Sequence, residues 1–154
     1  MRPHKKASIH FRPRFSNWPE RGVYQIFFRL SVASTLQIGR LGAFTFPPGE
    51  YVYTGRASRN LPKRVLRHAT GGKRLHWHID YLLRSDAARI ERVELKSENP
   101  AEECRVNAAA ARGRICVAPG FGASDCAAGC AAHLWHSKYE AKGLKKIPGL
   151  TCRA

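Results

Sequence analysis

The sequence predicts an α/β fold of the α+β type: a small mixed, mainly antiparallel sheet of three to five strands flanked by helices. Runs of apolar, β-branched and aromatic residues with strand character recur at 22–30, 35–41, 51–54 and 90–95. Helix-start signals stand among them, notably Pro62 and the Asn99-Pro100 pair. A chain of 154 residues suits one domain with a hydrophobic core of its own. The expected division is a basic, flexible N-terminal arm over 1–20, a folded domain over 21–139 and a basic C-terminal tail over 140–154.

The arm carries Pro3, Pro13 and Pro19 among cations and the aromatics Phe11, Phe15 and Trp18. That composition more commonly marks a disordered leader, and it also suits a segment on which bases stack while cations track phosphate. The run at 22–30 reads as an apolar strand, and 35–41 alternates well enough to be its hairpin partner across 31–34. Phe46-Pro47-Pro48-Gly49 then turns the chain into Tyr51-Val52-Tyr53-Thr54-Gly55. With the 35–41 strand lying outside the pair, Tyr24 and Tyr53 become near neighbours.

Beyond Gly55 a polar turn leads to Pro62, whose fixed φ suits a first helical turn. On that helix Arg64 and His68 are four residues apart and share a face, with Arg67 one step round. Gly71-Gly72 ends it, and a second helix is expected over 75–84, where His76 and Asp80 are spaced to pair. His78 points elsewhere. The 90–95 run reads as an edge strand with Arg92, Glu94 and Lys96 outward.

A third helix starts after Asn99, with Glu102 placed to complete a capping box. Glu103, about 100° further round, is free to face a site. Asn107 follows four residues later and can order a water or a phosphate. Gly113 ends this helix and 115–117 offers a last strand. A fourth helix is expected from Ser124 or Asp125, placing Cys126, Cys130 and His133 at i, i+4 and i+7. Thiols and an imidazole suit zinc, yet three ligands strung along two turns do not converge on one tetrahedral ion. Zinc at Cys126, Cys130 and His133 is therefore disfavoured against buried packed cysteines, and His133 is left as a residue that can face a cleft.

Lys and Arg number 27 against 11 Asp and Glu, for a formal net charge of +16 and a pI near 10.4. A polyanionic partner is the natural inference. No apolar run reaches about 18 residues, which argues against a membrane span. The odd count of five cysteines, without a signal-peptide pattern, reads as reduced thiols in a cytoplasmic protein.

Taken in order, Gly22-Val23-Tyr24, Tyr51-Val52-Tyr53-Thr54-Gly55 and Lys63-Arg64-Val65-Leu66-Arg67-His68 resemble the GIY-YIG nuclease superfamily. The phrases His76-Trp77-His78-Ile79-Asp80 and Gly120-Phe121-Gly122-Ala123-Ser124-Asp125-Cys126, with His133-Leu134, are similar to its Uri branch of presumed endonucleases. The resemblance covers about residues 22–136. The spacing of the cysteines from His133 departs from that branch.

What the resemblance implies is a metal-dependent endonuclease that hydrolyses DNA phosphodiester bonds at a single site. Arg64 would clamp the phosphate. Tyr24, acidified by that cation, would act as general base, while Tyr53 would hydrogen-bond the tyrosine, water or phosphate. Glu103 would hold one Mg²⁺ or Mn²⁺, and His68 and His76 are both candidates for proton transfer or phosphate contact. Arg56, Arg59, Lys63, Arg67, Lys73, Arg74 and Asn107 are the expected nucleic-acid contacts. DNA is the expected partner, single-stranded or branched forms and RNA remaining open, as does the oligomeric state. Two other classes remain: a non-catalytic basic nucleic-acid-binding module, and a basic protein that docks on an acidic partner.

Overall fold

The computed structural model describes residue 15, residues 17–71 and residues 74–137. Most of the expected arm, the whole expected tail and Lys73 lie outside the described residues. The described end of the arm is anchored. Phe15 and Trp18 pack edge to face, 4.7 Å apart, and lie against the core. Glu20 ties to the helix entrance, its carboxylate accepting the Asn60 amide at 2.7 Å and its carbonyl the Leu61 amide at 3.0 Å.

Five strands form the main sheet: β1 (Gly22–Leu30), β4 (Gly49–Ala57), β5 (Ala88–Ser97), β6 (Arg114–Ile115) and β7 (Leu134–Ser137), in the order β5-β1-β4-β7-β6. Every pairing is antiparallel, so the sheet is α+β as expected but not mixed. β1 lies inside it, between β4 and β5. Its mainly apolar run, broken by Gln25 and Arg29, reflects burial on both faces over most of its length.

The expected 22–30 with 35–41 hairpin does not form. Instead β2 (Ser34–Ile38) pairs with β3 (Gly42–Phe46) in a separate two-stranded sheet. Gly39 supplies the reason: at φ 47° it turns the chain in three residues, and Thr35 and Thr45 then meet across the hairpin at 2.9 Å. The two edges of β1 are left to β4 and β5. The β1–β4 register sets Tyr24 opposite Gly55 and Ile26 opposite Tyr53, so the two tyrosines are diagonal neighbours on one face. Their ring centroids are 6.4 Å apart.

With a side-chain period of two, Tyr24, Ile26, Phe28 and Leu30 share that face with Tyr51 and Tyr53. It is covered by α1 (Leu61–Thr70), α2 (His78–Leu83) and the β2–β3 hairpin. Phe28 stacks on Tyr51 at 5.3 Å, and Phe46, Ile79, Leu82, Phe121 and Leu134 close the same core. The opposite face, with Gln25, Phe27 and Val52, meets α3 (Glu103–Ala111) through Val106 and Ala110. α1 begins at Leu61, one residue before Pro62, with Asn60 in the left-handed region at φ 55°. Its buried stripe is Leu61, Val65 and His68.

α2 is shorter than the expected 75–84. Its first turn is capped by its own Asp80, whose Oδ2 accepts the backbone amides of His76 and Trp77 at 3.0 Å each. Before α3, Pro100–Glu102 forms a 3-10 turn, and Asn99 Oδ1 accepts the Ala101 amide at 3.1 Å. Glu102 does not reach back to the cap; it pairs with Arg105 at 2.9 Å. The expected fourth helix is absent. Residues 118–133 run through turns, with Gly120, Gly122 and Gly129 at φ between 70° and 82°, a conformation no helix contains. β5 is the edge strand expected. Arg92 lies over the Phe27 ring at 3.6 Å and pairs with Glu94 at 2.7 Å. No helix among the described residues is long and apolar enough to cross a membrane.

Candidate active site

A cleft of 310 Å³ opens where β4, α1, α2, α3 and the 118–133 loop meet. Tyr53, Arg56, Arg59, Arg64, His76 and Glu103 line it, joined by Trp77, His78 and Asp125. The chain thus brings together most of the residues the sequence singled out, from four separate elements.

Gly55 makes the floor possible. A Cβ there would stand 2.6 Å from the Tyr24 hydroxyl and 3.0 Å from the Tyr53 ring. Only the absent side chain lets both phenols converge. Gly122 does the same at the far wall: its φ of 70° and a would-be Cβ 2.9 Å from Tyr53 both demand glycine. Its amide donates to His78 Nδ1 at 2.9 Å.

Tyr24 lies behind this wall, 1% exposed. Its hydroxyl meets His68 Nε2 at 2.9 Å, and His68 Nδ1 meets Asp80 Oδ1 at 2.8 Å. The expected His76–Asp80 pair is therefore corrected. Asp80 binds only the backbone amide of His76, while its free oxygen engages His68 on the neighbouring helix. The His76 ring is exposed and stands edge-on to Trp77 at 4.4 Å.

Protonation follows from these contacts. Burial lowers the His68 pKa despite the opposing pull of Asp80, so the ring is neutral at pH 7. Burial works against ionisation of Asp80, but the bonds from His68 and the two amides outweigh it and hold its pKa low. A neutral His68 beside a carboxylate donates from Nδ1 and presents a bare Nε2 to the Tyr24 hydroxyl. Tyr24 itself is raised well above its ordinary value, first by burial and then by Tyr53. Arg64 lowers it, by less. The acidification of Tyr24 by Arg64 that the resemblance implied is outweighed by burial. Tyr53 is raised as well, by burial and by Glu103.

The cations divide into two groups. Arg64 donates to the Arg56 carbonyl at 2.6 Å and lies over Trp77 at 4.7 Å, with its guanidinium at the cleft. Arg56 pairs with Glu103 at 3.2 Å and reaches Asp125 at 3.9 Å. Arg59 and Lys63 are exposed at the turn and on α1. Arg67, expected to contact nucleic acid, is turned inward: it binds the Arg74 carbonyl, lies 3.7 Å from Asp80 and covers Trp77 at 5.1 Å. Arg74 itself remains exposed.

Asn107 is also corrected. It is 2% exposed, donating to the Ala132 carbonyl at 2.8 Å and accepting from Trp135 Nε1 at 2.9 Å, so its amide fastens α3 to β7 rather than facing a phosphate. Trp77 and Asp125 were missed as site residues. Trp77 looked like a packed aromatic, and its role as a plate for two guanidinium groups depends on α1 folding over it.

With the fourth helix gone, Cys126, Cys130 and His133 come together with Cys104 of α3. His133 Nδ1 lies 3.3 Å from Glu103 Oε1, without hydrogen-bond alignment. Burial opposes its protonation, but Glu103 and the thiols outweigh that and raise its pKa to about 9. Cys104, Cys126 and Cys130 are free thiols; Cys116 is disulfide-bonded, unlike the reduced state expected of all five.

Residues 23–151 match the family model described as Domain of unknown function DUF123. The chain belongs to this family. The DUF123 match takes in both tyrosines, Arg64, His68, Asp80, Glu103 and the cysteine cluster. No curated protein and no solved structure matches the chain.

Proposed function

We propose that this DUF123 chain is a metal-dependent endonuclease of the GIY-YIG type, acting on DNA phosphodiester bonds. The observation that carries the reading is the hydrogen-bonded line Tyr24, His68, Asp80 set behind a cleft that presents Arg59, Arg64 and Glu103. It fits hydrolysis of an anionic diester, which needs charge neutralisation, a place for a proton and a stabilised leaving oxygen.

Arg64 binds the phosphate through its planar fork, held in aim by Trp77 and the Arg56 carbonyl. Arg59 and Arg56 meet the flanking phosphates, Arg56 exchanging Glu103 for the incoming anion. The raised pKa of Tyr24 excludes a standing phenolate at neutral pH. A relay removes the need for one: once substrate binding admits the attacking water past the wall to Tyr24, the phenol oxygen takes a proton from that water as its own proton passes to His68 Nε2. The Asp80 carboxylate then stabilises the imidazolium. Tyr53, on the cleft wall, hydrogen-bonds the phosphate or the water.

Glu103 and Asp125, two carboxylates at one polar cleft, fit a hard divalent cation such as Mg²⁺ or Mn²⁺. When bound there, it would supply neutralisation of the charge that develops on the leaving oxygen.

The test is cleavage of end-labelled single-stranded, duplex and branched DNA, with RNA alongside, in Mg²⁺ or Mn²⁺. Cutting is expected to vanish with EDTA and in Glu103→Gln. Salt-sensitive binding without cutting on every substrate would replace this reading with a non-catalytic nucleic-acid-binding module.

A further inference from the structure

We propose that Cys104, Cys126, Cys130 and His133 hold a structural zinc ion that fastens the 118–133 loop to α3. The site borders the cleft through Glu103, which lies 3.3 Å from His133, but it does not depend on the nuclease reading.

Convergence is the first ground. One ligand atom from each of the four residues lies within 4.8 Å of all the others, and Cys104 Sγ is 3.5 Å from Cys126 Sγ. Tetrahedral zinc, with Zn–S near 2.3 Å and Zn–N near 2.0–2.1 Å, needs ligand separations of roughly 3.4–3.8 Å. The cluster closes to that size by shifts of about 1 Å or less. The objection raised by the sequence assumed a helix over 124–133. Because that segment turns at Gly129, Cys130 and His133 come round to Cys126, and α3 contributes the fourth ligand.

His133 supplies the second ground. It is 1% exposed, and neither ring nitrogen has a hydrogen-bond partner. A buried imidazole left so is unusual and calls for a ligand. Zinc would take one nitrogen and Glu103, 3.3 Å from Nδ1, would face the other, the carboxylate–histidine–metal order common at such sites.

The donor set decides the ion. Three thiolates and an imidazole select zinc over the hard cations that suit carboxylates, and four protein ligands leave no open position for catalysis. The loop itself explains the need. It has no helix or strand from 118 to 133, and the metal ties its far end to α3. On binding, the three thiol protons leave to solvent. The cysteines are partly exposed, so the ion has a route in.

The test uses the full chain, produced with zinc in the medium and dialysed against metal-free buffer without chelator. Elemental analysis should find about one zinc per chain. Replacing zinc with Co²⁺ should give intense visible bands of a tetrahedral site together with thiolate-to-cobalt charge transfer. Cys126→Ser and Cys130→Ser should lose both, whereas Glu103→Gln should keep its zinc. Metal far below stoichiometric after supplementation, a weak octahedral cobalt spectrum, or mass spectrometry showing a disulfide among the three cysteines would overturn the proposal. Should the cysteine variants fail to fold, the cobalt spectrum of the unaltered chain still decides.

Discussion

Asp80→Asn separates the relay from the fold that carries it. Asp80 Oδ2 accepts the His76 and Trp77 amides, and Oδ1 accepts from His68 Nδ1 at 2.8 Å. An asparagine must keep its oxygen toward the two amides, which leaves its NH₂ facing Nδ1. The ring responds by moving its proton to Nε2, which then donates to Tyr24 and has no room for the phenol's proton. Loss of a general-base step is worth about 10²–10⁴ in rate, or about 2.7–5.5 kcal/mol in the barrier. Exchanging charge-assisted bonds for neutral ones costs about 1–2 kcal/mol of stability. Cleavage under single-turnover conditions should fall by that factor while binding of the same DNA, measured by anisotropy, stays within about twofold. Nitrogen-15 NMR of the imidazole should show the changed tautomer. Cleavage at the original rate, with the tautomer switched, would refute the relay.

Tyr24→Phe should lower cleavage by a similar factor of about 10²–10⁴, and it leaves His68 Nε2 buried and unpaired at a cost of about 1–3 kcal/mol, readable by denaturant titration. Gly55→Ala should displace both tyrosines, costing about 1–3 kcal/mol and more activity than binding, since its Cβ would stand 2.6 Å from the Tyr24 oxygen. Phe28→Ala, at a fully buried position that does not line the cleft, should cost about 3–5 kcal/mol in thermal or chemical denaturation. Burial holds His68, His78 and His136 below their ordinary 6.5, so the unfolded chain takes up their protons first. Their stabilisation is complete above pH 6.5 and declines as the pH falls toward the folded values, and Asp80 adds a further loss at lower pH. His133, raised to about 9, works the other way but only above pH 6.5, where its stabilisation is lost as the pH rises. Melting temperature should therefore fall from pH 6.5 to 5; a rise over that interval would contradict the assigned burial.

The sequence carried the strands that hold the two tyrosines, because a period-two pattern and a glycine after Tyr-Thr are local signals. It carried α1 and Glu103 for the same reason. The hairpin partner of 35–41 was misread, since alternation says that a strand has two faces but not which strand it meets. Asp80 was recognised and given the wrong partner: spacing of four pointed to His76, whereas His68 lies twelve residues away on another helix. Asn107 and Arg67 look like any exposed polar side chain in sequence, and only packing shows that one ties α3 to β7 and the other folds back over Trp77. The fourth helix failed because a cap at Ser124 or Asp125 and the spacing of Cys126, Cys130 and His133 took no account of Gly129, which stands at φ 70°.

Both edges of the five-stranded sheet resist self-association. β6 is two residues long and offers almost no free backbone to pair with. β5 is long, but it sets Arg89, Glu91, Arg92, Glu94 and Lys96 along ten residues, several braced by ion pairs, and Arg92 covers Phe27. An incoming strand would have to strip water from those charges to gain its backbone bonds. Among the described residues, strand addition to this sheet is therefore opposed at one end by shortness and at the other by charge.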